Sequence, residues 1–351
     1  MLLMRPMRVV RSRRRFVIGV IGATIGCTGT APLDQDHRVD ARVFDSDDTS
    51  VADVSVAPKL GPPYPIVLAH GFFGFEDFAG AGFINYFYGV KAHLATQGEK
   101  SVHTPAVDPF NGSEYRGKQL GAHIEKILRD TNYAKVNIVG HSQGGLDARV
   151  VAHDHPDWVA TVVTIGTPHE GVPVADIALR IQPHSDAEKV IDALSKLAGK
   201  ALYDSVGNET SMAAAIRQFA TAVMKDFNAR YTDAFGVKYY SIAGRTAFHP
   251  GGDDCASPDA PDFIRALGGD LDPTDPLLKP TETVLSSFGS YPNDGLVRAR
   301  DARRGTFLGC IPADHLDEMG HLLGDSPGAG NSFRHLDFYA AVVKFIRGKG
   351  M

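Results

Sequence analysis

Three cysteines in 351 residues, Cys27, Cys255 and Cys310, are too few for a disulfide scaffold and wrongly spaced for a zinc site. Long apolar runs are missing too. None approaches the roughly 18–20 uninterrupted residues that a membrane-spanning helix needs. Positive charge is scarce in the body of the chain. Lysine and arginine number 36 against 41 acidic residues, and six of those arginines fall within the first fifteen positions, leaving 30 basic and 41 acidic groups elsewhere. So acidic a surface repels phosphate backbones and gives no general attraction to anionic lipid, which excludes nucleic acid as a partner. What remains is the composition of a globular protein with a sizeable core: 43% hydrophobic and 22% charged residues.

The amino terminus reads as an address rather than as fold. Residues 1–26 carry a basic head, a short apolar run from Phe16 to Ile25 broken by Gly19 and Gly22, and then small residues. Ser12-Arg13-Arg14-Arg15-Phe16-Val17 resembles a twin-arginine export signal; an ordinary Sec signal with extra charge is the alternative. Thr24-Ile25-Gly26-Cys27 resembles a lipoprotein processing site, with Cys27 as the acylated residue and a lipid anchor to the membrane. Thr24 departs from the leucine usual three places upstream, so cleavage without lipidation stays open. The segment 27–62 holds seven aspartates and one aromatic residue, too little apolar surface to offset its ordering entropy, and reads as a flexible acidic tether. The folded domain is expected over 63–349.

Within that domain short apolar runs alternate with helical patterns. Pro65–Ala69, Val102–Val107, Val136–Gly140, Val159–Ile165 and Val237–Ile242 read as strands. Asn85–Thr96, a segment opening at Ser113, Leu146–His153 and Phe333–Ile346 read as helices. The alternation predicts an α/β fold with a mostly parallel sheet flanked by helices on both faces. Between one strand and the helix after it stands Gly140-His141-Ser142-Gln143-Gly144, the G-x-S-x-G pattern. In a tight strand-to-helix turn it would lift the serine hydroxyl above the sheet, at the positive end of a helix where an oxyanion is favoured.

Four segments in order, Pro65–Gly71, His141–Gly145 with Thr164–His169, Asn293–Val297 and His315–Glu318, resemble the bacterial true lipases of the Pseudomonas and Burkholderia type. The resemblance spans about residues 64–347. It implies the α/β-hydrolase fold, an ester or lipid substrate, no organic cofactor, and a triad of Ser142, Asp294 and His315. Such a triad answers a chemical need, since a neutral serine is a poor nucleophile until an imidazole takes its proton and a carboxylate orients the imidazole. His321 and His335 compete for the base, and Asp301 and Asp317 for the acid. The backbone N–H groups of Phe72 and Gln143 are the expected oxyanion donors.

The same resemblance implies a structural Ca²⁺ held by Asp272 and Asp317, with His321 and Asp325 where further contacts would fall. A histidine side chain is a poor calcium ligand, and a pair of aspartates that merely cap loops is the alternative. Residues 173–223 match the family's mobile lid. Val190, Ile191, Leu194, Leu197, Ala201 and Leu202 form an amphipathic stripe there, which would suit a cover or a permanently packed helix. Cys255 and Cys310 are candidates for a disulfide outside the cytoplasm, one that does not align with the family's own bond. Part of the family needs a lipase-specific foldase; export of a folded chain by the twin-arginine route would weaken that expectation. A short-chain esterase or polyester depolymerase would use the same triad. A non-catalytic surface lipoprotein would be expected to have lost a triad member, and none is lost.

Overall fold

A computed structural model of the chain describes residues 58–72, 86–179, 212–321, 324, 327, 328 and 330–351. The export signal, Cys27, the acidic tether, the stripe at Val190–Leu202 and Asp325 lie outside the described residues. Every described residue belongs to one compact unit, Ala57–Met351.

Six parallel strands form one sheet in the order β2-β1-β3-β4-β5-β6. They are β1 (Ile66–Ala69), β2 (Val102–His103), β3 (Val136–His141), β4 (Val159–Ile165), β5 (Lys238–Gly244) and β6 (Thr306–Ile311). In β1, β3 and β4 every residue is buried, as continuous apolar strands must be when helices cover both faces. Side chains alternate between two cores. Ile66, Leu68, Val139, Val163 and Ile242 face α1 (Val90–Thr96) and the C-terminal helix His335–Gly348. Val67, Ala69, Ile138 and Val162 face α2 (Ser113–Thr131) and α3 (Gln143–Asp154).

Helix α2 opens with Ser113 and Glu114 and buries Leu120, Ile124, Ile127 and Leu128 at helical spacing. It ends at Asn132 in the left-handed conformation (φ 56°). The C-terminal helix buries His335, Phe338, Tyr339, Val342, Val343 and Ile346, a stripe along one face. The chain continues from β4 through α4 (Pro173–Leu179), α5 (Met212–Gln218), α6 (Thr221–Arg230), α7 (Gly252–Cys255), α8 (Asp262–Arg265) and α9 (Lys279–Ser287), so the C-terminal helix is α10.

Several expectations shift. The domain starts earlier than residue 63, because Leu60 forms a parallel bridge with Tyr133, donating to Asn132 O (2.8 Å) and accepting from Ala134 N–H (2.9 Å). Helix α1 starts only at Val90, since Gly89 ahead of it is left-handed (φ 68°). Strand β2 is two residues long rather than six, and β6 had not been expected. The far end of the 173–223 insertion is part of the body: Phe219 packs against the cluster that Met224 and Phe227 of α6 form with Leu146 and Val150 of α3. Among the described residues no helix is long and apolar enough to cross a membrane.

Candidate active site

Strand β3 delivers Ser142 directly into α3. Its backbone takes φ 53°, ψ −129°, a conformation that costs energy in any residue other than glycine and persists only where the surroundings over-determine it. Here they do. Ser142 N–H donates to Ile165 O (2.9 Å), and Ser142 O accepts from Gly145 N–H (3.1 Å) and the Thr167 hydroxyl (2.8 Å). Two residues on, α3 passes so close to β1 that a Cβ on Gly144 would lie 2.0 Å from Ala69 O. The motif's small residue is therefore a steric requirement. Gln143 is the first residue of α3, where backbone N–H groups have no intrahelical acceptor, and its side chain donates to Asn111 O (2.7 Å).

The loops after β5 and β6 bring Asp294 and His315 together. His315 Nδ1 donates to Asp294 Oδ2 (2.8 Å), and His315 N–H donates to Asp294 O (2.8 Å). Asp294 Oδ1 accepts from Leu296 N–H (2.8 Å) and Val297 N–H (2.6 Å), so the carboxylate is held at both oxygens. With Nδ1 carrying the proton, Nε2 is the basic nitrogen of the neutral ring. The competing residues are engaged elsewhere. Asp301 pairs with Arg298, His335 Nε2 donates to Tyr88 O (2.8 Å), and Asp317 joins a different cluster.

Beside the pair lies a feature without an expected role. Glu318 is fully buried, with Oε2 2.7 Å from His141 Nε2 and 3.9 Å from His315 Nδ1. Burial, with the charges of Asp294, Asp314 and Asp317, pushes its carboxyl well above the usual glutamate range. Burial and His315 hold the His141 imidazole well below its usual value, and the other ring nitrogen meets the Tyr86 hydroxyl at 2.7 Å. Glu318 Oε1 has no hydrogen-bond partner and sits over Gly244, whose Cβ would come within 2.1 Å of it.

The loop after β1 lies against Ser142, where a Cβ on Gly71 would come 2.7 Å from Ser142 Cβ. Phe72 has its ring edge-on to Phe110 (5.9 Å) and Phe219 (5.8 Å). His70 Nδ1 donates to Gly71 O (2.9 Å) and its Nε2 accepts from Val107 N–H (3.0 Å).

Of the expected calcium ligands, Asp272 and Asp317 come together, joined by Asp314; oxygens of the three lie within 4.8 Å of one another. Neither carboxylate oxygen of Asp272 makes a hydrogen bond of good geometry, and burial beside Asp314 raises its pKa to about 8. Asp314 accepts from Asp275 N–H (2.8 Å), Leu316 N–H (2.9 Å) and Asp317 N–H (3.0 Å), and burial still lifts it to about 6. The His321 side chain does not join this cluster. Its Nε2 donates to Tyr86 O (2.9 Å), and burial lowers its pKa to about 4. Three buried carboxylates, of which Asp272 makes no hydrogen bond of good geometry, suit a hard cation that takes oxygen ligands. Cys255 and Cys310 are bonded, Cα to Cα 5.1 Å, tying α7 to β6 five residues ahead of His315.

The α/β-hydrolase fold family matches residues 64–206. The triacylglycerol lipase of Burkholderia plantarii is 32% identical over 303 residues, covering 78% of this chain and 84% of that one. This chain belongs to the bacterial triacylglycerol lipase family. A second member of it, from Vibrio cholerae, is 33% identical over 283 residues, with 74% and 81% coverage. Among solved structures, EstA from Clostridium botulinum shares the fold, with a TM-score of 0.55 at 18% identity over 81% of this chain and 87% of that one. The lipase family is one of carboxylic ester hydrolases, and this chain is such an enzyme.

Proposed function

We propose that the enzyme hydrolyses the ester bonds of lipids, as an exported triacylglycerol lipase, through Ser142, His315 and Asp294. The observation that carries this reading is the buried 2.8 Å contact of His315 Nδ1 with Asp294, at the same end of the sheet as the strained Ser142. His315 Nε2 takes the Ser142 proton as Oγ attacks the ester carbonyl. The oxyanion of the tetrahedral intermediate is met by the N–H groups of Gln143 and Phe72. His315 then returns the proton to the departing alcohol, leaving an acyl-serine. Water, deprotonated by the same imidazole, releases the fatty acid. The lipid preference is supported by the names of the relatives, and export by the signal-like residues 1–26.

Asp272, Asp314 and Asp317 would hold a calcium ion. It would supply positive charge to three crowded carboxylates and so fix the loop that carries His315; the reaction needs nothing else from it.

The test is a comparison of triglycerides from tributyrin to triolein, as monomers and as emulsions. Hydrolysis of long-chain emulsions is expected, with Ser142→Ala lowering kcat by about 10⁶-fold. Turnover confined to short soluble esters would leave the triad in place and overturn the lipid substrate.

A further inference from the structure

Arg116, in the first turn of α2, has no exposed surface. A buried guanidinium is tolerated only where its donors meet acceptors, and here they do. Nε donates to Asp147 Oδ2 of α3 (2.8 Å), and Nη2 makes an ion pair with the same oxygen (2.8 Å). Nη1 donates to Asp108 O (2.7 Å). Nη2 also reaches His70 O (2.7 Å) and Gly71 O (3.2 Å), the two carbonyls immediately ahead of Phe72. His70 Nδ1 holds Gly71 O from another side.

A trans peptide is planar, with its C=O and N–H pointing in opposite directions. Fixing Gly71 O toward Arg116 and His70 therefore fixes the Phe72 N–H away from them. The same loop lies hard against the nucleophile: a Cβ on Gly71 would come 2.7 Å from Ser142 Cβ. Asp147 in turn stands on the helix whose first residue, Gln143, offers the other N–H.

We infer that Arg116, anchored by Asp147, is a positioning residue that sets the Gly71–Phe72 peptide so that its N–H faces the oxyanion formed at Ser142. This rests on the ester-hydrolase reading above and extends it to the preparation of the oxyanion site. The pair also couples two donors from separate elements, so that the oxyanion loop and the nucleophile helix keep one relative geometry. A flipped peptide would present a carbonyl to the developing negative charge, the reverse of what catalysis needs.

The experiment uses a matched ester and thionoester. Thiocarbonyl sulfur is a weak hydrogen-bond acceptor, so the ratio of the two kcat/KM values reads the oxyanion donors and is insensitive to a general loss of active enzyme. The variants are Arg116→Lys, which keeps a charge for Asp147 but cannot reach all four acceptors, and Arg116→Met with Asp147→Leu, which removes both charges. Replacing both partners of a buried pair is often tolerated, and thermal unfolding reports whether it is here. Both variants should lower kcat for the ester by roughly 10–100-fold, part or most of the loss expected for a removed oxyanion donor. KM should stay within about threefold, since uniform ground-state binding is untouched. The ester-to-thionoester ratio should fall several-fold, and the pH profile set by His315 and Asp294 should not move. An equal fall for both substrates would mean that Arg116 only supports packing, and full activity in a folded variant would mean that it has no part in positioning; either overturns the inference. If the unmodified enzyme hydrolyses no ester, the functional reading falls first, and this role with it.

Discussion

On one flank of Ser142, behind the loop after β1, lies the buried Arg116, whose donors meet a carboxylate and three backbone carbonyls. On the histidine side lies a carboxyl, Glu318, with one histidine contact, one unpartnered oxygen and three aspartates for neighbours. Both are removed from water, yet their surroundings differ in sign. Arg116 is enclosed by acceptors and a carboxylate, whereas burial and then the neighbouring aspartates push the Glu318 carboxyl well above the usual glutamate range. Two equally buried groups thus differ in what their neighbours offer: a full set of partners for Arg116, and an excess of carboxylates around Glu318.

The comparison breaks most strongly at Arg116→Ala, which leaves Asp147 as an unpaired buried charge. A loss of about 3–5 kcal/mol is expected in urea unfolding. Glu318→Ala leaves His141 Nε2 without its hydrogen-bond partner and should cost about 1–3 kcal/mol in the same measurement.

A third test uses pH and calcium. Glu318 and Asp272 have folded-state pKa values raised above their unfolded values, Asp272 to about 8. Their contribution to stability is full below the unfolded pKa and is lost as pH rises through the folded one. The buried histidines His70, His141 and His321 have lowered values, so they act in the opposite sense below about pH 6.5, their usual pKa. The carboxyls are therefore read above that point. In chelator the melting temperature should fall from about pH 6.5 to about pH 8.5, and Asp272→Asn should flatten the fall. Calcium bound by the three aspartates needs them deprotonated, so its stabilisation should be larger at the upper pH than at the lower. Equal stabilisation at both would remove Asp272 from the ligand set. The smallest effect belongs to Glu318→Gln. An amide has nearly the shape of the neutral acid, and the change in stability should stay below about 1 kcal/mol; a larger loss would mean that Glu318 is ionised.

Much of this architecture was legible in the chain. Strands β1, β3 and β4 are largely apolar runs, and Gly140–Gly144 between a strand and a helix announces the serine turn because sterics there leave little choice. Strand β6 was not legible: Thr306–Ile311 is interrupted in its middle by Gly309, held at φ 118° where the pairing with β5 shifts register. Helix α1 was drawn too long because apolar spacing does not register the left-handed Gly89. Asp314 escaped because its meaning depends on Asp272, distant in sequence and adjacent only in the fold. Arg116 and Asp147 stand 31 residues apart, each an ordinary polar residue on its own helix until α2 and α3 pack together. The His321 ring is engaged by the carbonyl of Tyr86, a partner 235 residues away that the motif does not display.

The bridge between Leu60 and Tyr133 fixes where the chain enters the domain. Tyr133 precedes β3, so entry is at the edge where the strands begin, whereas Ser142 stands where β3 ends, six residues or roughly 20 Å away along the strand. Anything joined ahead of Pro58, whether a resin, a fusion protein or an acyl anchor, would grip the enzyme by the edge remote from its serine. Immobilisation through that end should leave the catalytic mouth turned outward, toward whatever the surrounding fluid brings.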